Sequence, residues 1–140
     1  MRSNAENDIY RLIAQHLRQF YRSTPFHFDL SGINNTSRYS RGLYKGLNGD
    51  AGYPDLFVAA KSHPDFGDYM GLYIEVKVDG THIRKRDGSL VADDHIRDQA
   101  EWIKRLNTAG YYAAFGIGYS SCKDLIDEYM TGTVNHRIEF

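Results

Sequence analysis

Asp55, Glu75 and Lys77 are the residues of this 140-residue chain whose types and spacing could do chemistry. Asp55 closes the stretch Gly52-Tyr-Pro-Asp55, and Glu75 and Lys77 lie two apart in Gly71-Leu-Tyr-Ile-Glu-Val-Lys-Val78. On one face of a β-hairpin, two carboxylates and an ammonium would suit the holding of a divalent cation and the cutting of a phosphodiester. Facing carboxylates repel by about 4 kcal/mol at a separation of about 4 Å and an effective dielectric near 20. Without a cation one of them would take up a proton or the pair would splay apart. Mg²⁺ or Mn²⁺ prefers hard oxygen ligands and would remove the conflict. Lys77 could then orient or help deprotonate an attacking water, or balance charge on a pentavalent phosphorane. The plainer alternative is a surface Glu–Lys pair beside an aspartate that begins a strand.

The neighbours decide whether these residues can meet. Residues 55–60 and 71–78 read as strands, because Leu56 and Val58 alternate with Asp55 and Phe57, and Leu72, Ile74, Val76 and Val78 with Tyr73, Glu75 and Lys77. Paired antiparallel around a turn centred on Asp65, they set Asp55 opposite Glu75 and Phe57 opposite Tyr73. Leu56 and Val58 then share a face with Leu72, Ile74 and Val76. A slip by one residue would bury Asp55 among leucines, so the apolar pattern specifies the register. Pro64-Asp65 is a second Pro-Asp pair, but it falls in the turn His63-Pro-Asp-Phe-Gly67 and leaves Asp55 as the candidate ligand.

Around this hairpin the chain reads as helices and one more strand. Ile9, Ile13, Leu17 and Phe20 predict an amphipathic helix over 4–21, with Ser3 and Glu6 fitting a capping box. Residues 23–36 look irregular around Pro25, Gly32 and Asn34-Asn35. A short helix over 37–47 would carry Arg38, Arg41 and Lys45 on one basic face, though Gly42 and Gly46 weaken it by about 1 kcal/mol each. Residues 81–91 suit a second hairpin around Asp87-Gly88, with Arg84, Lys85 and Arg86 at its tip. Ile96, Ala100, Ile103 and Leu106 predict a helix over 94–109 stopped by Gly110, and a strand over 111–116 follows. A final helix starts at Ser120 or Ser121 and ends near Gly132; the last eight residues fit either a strand or a tail. The result is one α/β domain over 1–140 on a small mixed sheet flanked by helices, with a core order α-β-β-β-α-β.

Three polar residues draw attention on these elements. Gln99 sits on the apolar stripe of its helix, where an unpartnered amide costs roughly 1–3 kcal/mol. A place beside Glu75 and Lys77 would supply partners, and so would a helix-end carbonyl. Glu6 lies one turn before Ile9 on the inward stripe, so it is either a cap or a further carboxylate near the cation. His95, one turn before Gln99, would either approach a phosphate or stand in solvent at the helix start. The remaining histidines show no zinc-ligand spacing, and Cys122, the single cysteine, has no catalytic context.

The ordered set Gly52-Tyr-Pro-Asp55, Glu75-Val-Lys77 and Gln99 resembles the PD-(D/E)xK nuclease superfamily, and within it the VRR-NUC family. The resemblance continues through Gln99-Ala-Glu-Trp-Ile-Lys-Arg-Leu106, Ala109-Gly-Tyr-Tyr-Ala-Ala114 and Asp124-Leu-Ile-Asp-Glu-Tyr129, covering roughly residues 50–130. In its short form the chain looks like the stand-alone members of phages and bacteria. The resemblance implies a restriction-endonuclease-like core and a Mg²⁺- or Mn²⁺-dependent endonuclease acting on DNA. It also implies that Asp55, Glu75 and the backbone carbonyl of Val76 bind metal, that Lys77 serves the nucleophilic water, and that Gln99 supports the site. Nucleases of this fold often place an acidic residue on the first helix, which Glu6 would match. Stand-alone relatives are associated with branched DNA, including four-way junctions resolved by homodimers, and larger eukaryotic relatives with flaps and crosslink repair.

Charge and composition constrain the partner. The formal net charge is −1, so no global basic field attracts a polyanion. The expected phosphate contacts are therefore local: Arg38, Arg41 and Lys45 on the short helix, and Arg84, Lys85 and Arg86 on the hairpin tip. Tyr39, Tyr44 and Tyr53 could stack on unpaired bases. No apolar run approaches the ~18 residues of a membrane span. No signal-peptide core follows the N-terminus, so a cytoplasmic protein of a bacterial or phage-infected cell is expected. The competing reading is a non-catalytic DNA-binding or interaction module that keeps the nuclease fold.

Overall fold

The computed structural model describes residues 4–29, 37–48 and 50–133. Ser3, the expected capping partner of Glu6, lies outside the described residues, as do residues 134–140. The elements run α1 (Asn4–Phe20), β1 (Phe26–Phe28), α2 (Arg38–Asn48), β2 (Leu56–Val58), β3 (Leu72–Lys77), α3 (Asp94–Thr108), β4 (Tyr112–Ile117) and α4 (Gly118–Thr131).

The strands form one sheet in the order β1-β2-β3-β4. β2 and β3 pair antiparallel with Leu56 opposite Ile74, Phe57 opposite Tyr73 and Val58 opposite Leu72, the register that the apolar alternation specifies. Leu56, Val58, Leu72, Ile74 and Val76 are all fully buried on one face, where Ile13 and Leu17 of α1 and Cys122, Ile126 and Tyr129 of α4 complete the core. Burial of each such aliphatic side chain is worth about 1.5–3 kcal/mol. The opposite face carries Tyr73 and Glu75 and is covered by Phe57, which stacks on Tyr73 at 4.5 Å, and by α3. β3 and β4 are parallel, with Glu75 opposite Phe115, and α3 supplies the crossover that parallel pairing needs.

Two expectations differ from the structure. The segment 23–36 contains a strand, β1, which pairs antiparallel with β2 through Phe26 opposite Val58. A three-residue strand following Pro25 has too little local pattern to show itself, because its stability comes from the neighbour it pairs with. Conversely, the expected hairpin over 81–91 does form around Asp87-Gly88, with an antiparallel bridge from Arg84 to Leu90, but it adds no strand to the sheet. Its charged tip has no apolar face to bury. The core order is thus α-β-α-β-β-α-β-α, with the extra strand before the hairpin of Asp55 and Glu75.

Local chemistry explains the helix ends. The Ser37 hydroxyl accepts from Ser40 N at 2.9 Å before α2, and Asp93 caps α3 by accepting from Ile96 N at 3.1 Å. α4 begins at Gly118, two residues earlier than Ser120; Gly118 has φ +82°, and a Cβ there would overlap the Asp79 carboxylate. No described helix is long and apolar enough to cross a membrane.

A polar staple joins α1 to α4. Asp127 Oδ1 lies 2.7 Å from His16 Nε2 and accepts from the Tyr21 hydroxyl at 2.6 Å, while Oδ2 accepts from Lys123 Nζ at 3.0 Å. Burial works to raise the Asp127 carboxyl, but the bonds from Tyr21, His16 and Lys123 together hold it below its ordinary 3.8. Its stabilisation is therefore complete above that unfolded value and is lost as pH falls through the lower folded one. Asp127→Ala should cost about 2–4 kcal/mol in urea unfolding at pH 7, since it strands a buried imidazole. The gap to the parent should narrow in acid.

Candidate active site

Asp55 and Glu75 meet where β2 stops short. The β2–β3 ladder ends at Leu56 and Ile74, so beyond it the Val76 N–H has no strand partner in β2. Asp55 Oδ2 takes that place, accepting from Val76 N at 2.9 Å. A strand residue directs its N–H and C=O to the same side, so the Val76 carbonyl also faces the Asp55 side. Glu75 is only 4% exposed and projects towards α3. There Gln99 Nε2 donates to its Oε2 at 3.0 Å, and Lys77 Nζ stands 3.9 Å from the same oxygen.

A cleft of about 750 Å³ opens over this cluster, lined by Asp55, Glu75, Lys77, Gln99 and Glu6. Glu6 reaches it from α1, and its Oε1 accepts from the Tyr10 hydroxyl at 3.3 Å. His95 is exposed at the helix start and also lines the cleft. Asp93 and Thr81 border it too. Sequence reasoning missed both, because the turn after Lys77 that brings them there is set by the fold; the only local signal was the N-cap pattern at Asp93. Arg38, Arg41 and Lys45 lie together on α2, which buries none of its residues. The Arg84 guanidinium donates to Gly88 O at 2.9 Å within its own hairpin, with Lys85 and Arg86 exposed beside it.

Gly52 sets the loop that ends in Asp55. It has φ +105°, and a Cβ there would meet Asp98 C at 2.8 Å and Gln99 N at 3.0 Å. The loop therefore runs against the backbone of α3, and Trp102 Nε1 pins it by donating to Ala51 O at 2.9 Å. This close approach is what brings Asp55 and Gln99 to the same cleft.

The electrostatics are strained without a counterion. Burial pushes the Glu75 carboxyl well above the usual range, the facing Asp55 carboxyl raises it further by charge and by hydrogen bonding, Lys77 opposes, and Glu6 adds to the rise. Among the described residues no donor reaches the buried Glu75 Oε1 or Gln99 Oε1, and the group crowding Glu75 is the Asp55 carboxyl. A divalent cation with its waters fits this donor set, because it would neutralise the carboxylates and occupy the idle oxygens. Among the described residues no group of three or more His, Cys, Asp or Glu side chains is placed to hold a metal ion, so Glu6 does not join Asp55 and Glu75 in such a group. Asp55 and Glu75 could supply two carboxylates of a site whose remaining positions water would fill, as Mg²⁺ commonly requires.

A mixed four-stranded sheet flanked by helices, with its carboxylates at the end of a short β2–β3 hairpin, is a restriction-endonuclease-like fold. No family model matches the chain, and no curated protein matches it. A solved structure described as a "VRR_NUC domain protein" aligns over 92% of this chain and 90% of that one, with a TM-score of 0.62 and 23% sequence identity. The two share the VRR-NUC fold.

Proposed function

We propose that the protein is a Mg²⁺- or Mn²⁺-dependent DNA endonuclease of the VRR-NUC family, structure-selective for branched DNA such as four-way junctions or flaps, and cytoplasmic. The observation that carries this reading is the buried Glu75 carboxyl, pressed against the Asp55 carboxyl on a cleft that Lys77 and Gln99 also line, with no donor reaching its Oε1 among the described residues. A purely structural carboxylate would instead be saturated with donors. The nuclease-domain name of the structure with the same fold points the same way.

Asp55, Glu75 and the Val76 carbonyl would hold the cation, with Glu6 as a further carboxylate at the rim. A bound Mg²⁺ or Mn²⁺ would supply Lewis-acid polarisation of the phosphoryl oxygen and a more acidic water. The chain's own residues do the rest. Gln99 holds the Glu75 rotamer by its bond to Oε2. The Lys77 ammonium, with a side chain 18% exposed, orients the attacking water and offsets charge that builds on the phosphorane. Arg38, Arg41 and Lys45, with Arg84, Lys85 and Arg86, would hold flanking phosphates, an affinity that falls steeply with salt. A two-fold junction needs two cuts, so a homodimer is expected on that substrate.

The test is cleavage of labelled four-way junction, flap and linear duplex in Mg²⁺, Mn²⁺ or EDTA. Metal-dependent cutting that favours the branched substrates is expected; cutting that survives EDTA would remove the metal mechanism. Binding with no metal-stimulated cleavage would favour the non-catalytic module. Lys77→Ala should lower the cleavage rate by about 10²–10³ while folding and DNA binding persist. A folded Lys77→Ala protein with full activity would strip the lysine of its role.

A further inference from the structure

A second cleft, of about 930 Å³, opens beside loop 52–55 and shares that loop with the carboxylates. Tyr53 and Trp102 wall it, edge to face, with ring centres 5.1 Å apart at 79°. Both rings are held by polar anchors at their edges. The Trp102 indole N–H donates to Ala51 O, and the Tyr53 hydroxyl donates to that of Tyr73 at 2.8 Å. Tyr53 accordingly stays 41% exposed, and Leu47 of α2, on the same cleft, is 74% exposed. The polar side chains on the cleft are His27, Tyr44, Lys45 and Asn48 together with two carboxylates, Asp29 and Asp50, and the Tyr44 hydroxyl donates to Asp29 at 3.1 Å. Asp50 pairs with Arg105 at 3.7 Å, and the Arg105 guanidinium lies over the Trp102 ring at 4.4 Å.

That lining selects a ligand. A cleft built for phosphate would gather cations, whereas here one lysine stands with two carboxylates that repel phosphate, and the Asn48 amide offers a donor and an acceptor to a base edge. The exposed Tyr53 ring, beside the half-buried Trp102, offers stacking to any nucleobase. A paired base is already stacked and cannot enter. Tyr53 and Asp55 are two residues apart, so their Cα atoms are at most about 7 Å apart. That distance corresponds to roughly one or two nucleotide steps at about 3.4 Å of rise each.

We propose that this cleft receives an unpaired nucleobase one or two nucleotides from the phosphate at the carboxylates. The placement relative to the cut rests on the nuclease reading; the capture of the base does not. Selectivity for branched DNA would then come from a base that only a junction, fork or flap can release.

Trp102 is the single tryptophan of the chain, so its fluorescence reports the cleft directly. The experiment titrates the full chain in EDTA with a single strand, a forked duplex, a blunt duplex, and a single strand carrying an abasic tract of the same phosphate count. Saturable quenching by the single strand and the fork, with little from the blunt duplex or the abasic strand, is expected. Equal quenching by all four, or by none, overturns the proposal. Tyr53→Ala should weaken single-strand and fork binding by about tenfold or more, in line with the loss of one stacked base. Should that variant fail to fold, the comparison of normal with abasic strand in the unaltered protein decides alone. Failure of the nuclease reading would appear separately, as normal quenching without cleavage when Mg²⁺ or Mn²⁺ is added.

Discussion

Replacing Glu75 with glutamine should raise the melting temperature of the metal-free protein and, in the same protein, abolish DNA cleavage. Glu75 is an acid whose folded-state value lies well above its ordinary 4.5, first through burial and then through the facing Asp55 carboxyl. Below the unfolded value both states are protonated and the site costs nothing. As pH rises past it, the unfolded chain ionises freely while the folded one cannot, so stability falls with increasing pH. At pH 7 the resulting loss is about 1–3 kcal/mol, on the basis of about 1.4 kcal/mol per unit of pH separation. A glutamine carbonyl can still accept from Gln99 and carries no charge, so Glu75→Gln removes that loss and gains several degrees in EDTA. The gain should grow from pH 5 to pH 8. Added Mg²⁺ or Mn²⁺ should reverse the ranking by stabilising the parent more than the variant. Cleavage should drop at least a thousandfold, because half of the cation's protein carboxylates is gone. A variant that melts lower than the parent in EDTA at pH 8, or that still cuts, would show that Glu75 is an ordinary structural carboxylate.

How far the chain could be read without coordinates depended on where each signal lay. The Asp55–Glu75–Lys77 arrangement was legible because it follows from alternation within two adjacent strands, and the burial of Leu56, Ile74 and Val76 leaves a single register. Gln99 was legible as an amide on an apolar stripe, and its partner proves to be Glu75. The sequence left Glu6 between two roles. The structure sets it in the cleft beside Tyr10, while Ser3 lies outside the described residues. What could not be read is what depends on distant chain segments meeting. β1 exists because β2 offers it an edge, and Asp93 and Thr81 reach the cleft because the chain turns after Lys77. Trp102 stands in the helix stretch Gln99–Leu106 with no partner marked in the sequence. Its indole N–H finds Ala51 across 51 positions of sequence, a contact that no local pattern encodes.

Gly52→Ala should be the most damaging single methyl group that the site can be given. Two separate costs add at this position. An L side chain at φ +105° is strained by about 1–3 kcal/mol wherever it occurs. Here the new carbon also collides with Asp98 C and Gln99 N, which are backbone atoms of α3 and cannot rotate aside. The loop has to retreat, and Asp55 retreats with it from Glu75 and Gln99. A loss of about 2–4 kcal/mol in urea unfolding is expected, together with a fall in cleavage of about a hundredfold, since a misplacement near 1 Å can cost that much. Gly46→Ala is the matched control, because nothing lies within 4 Å of the added methyl on α2 and the helix should gain up to about 1 kcal/mol. The two substitutions make the same chemical change, so their difference isolates the contact with α3. Raising the Mg²⁺ or Mn²⁺ concentration should recover part of the Gly52→Ala activity if the displaced carboxylate chiefly weakens cation binding. Full activity at ordinary metal concentration would mean that the loop does not set the position of Asp55.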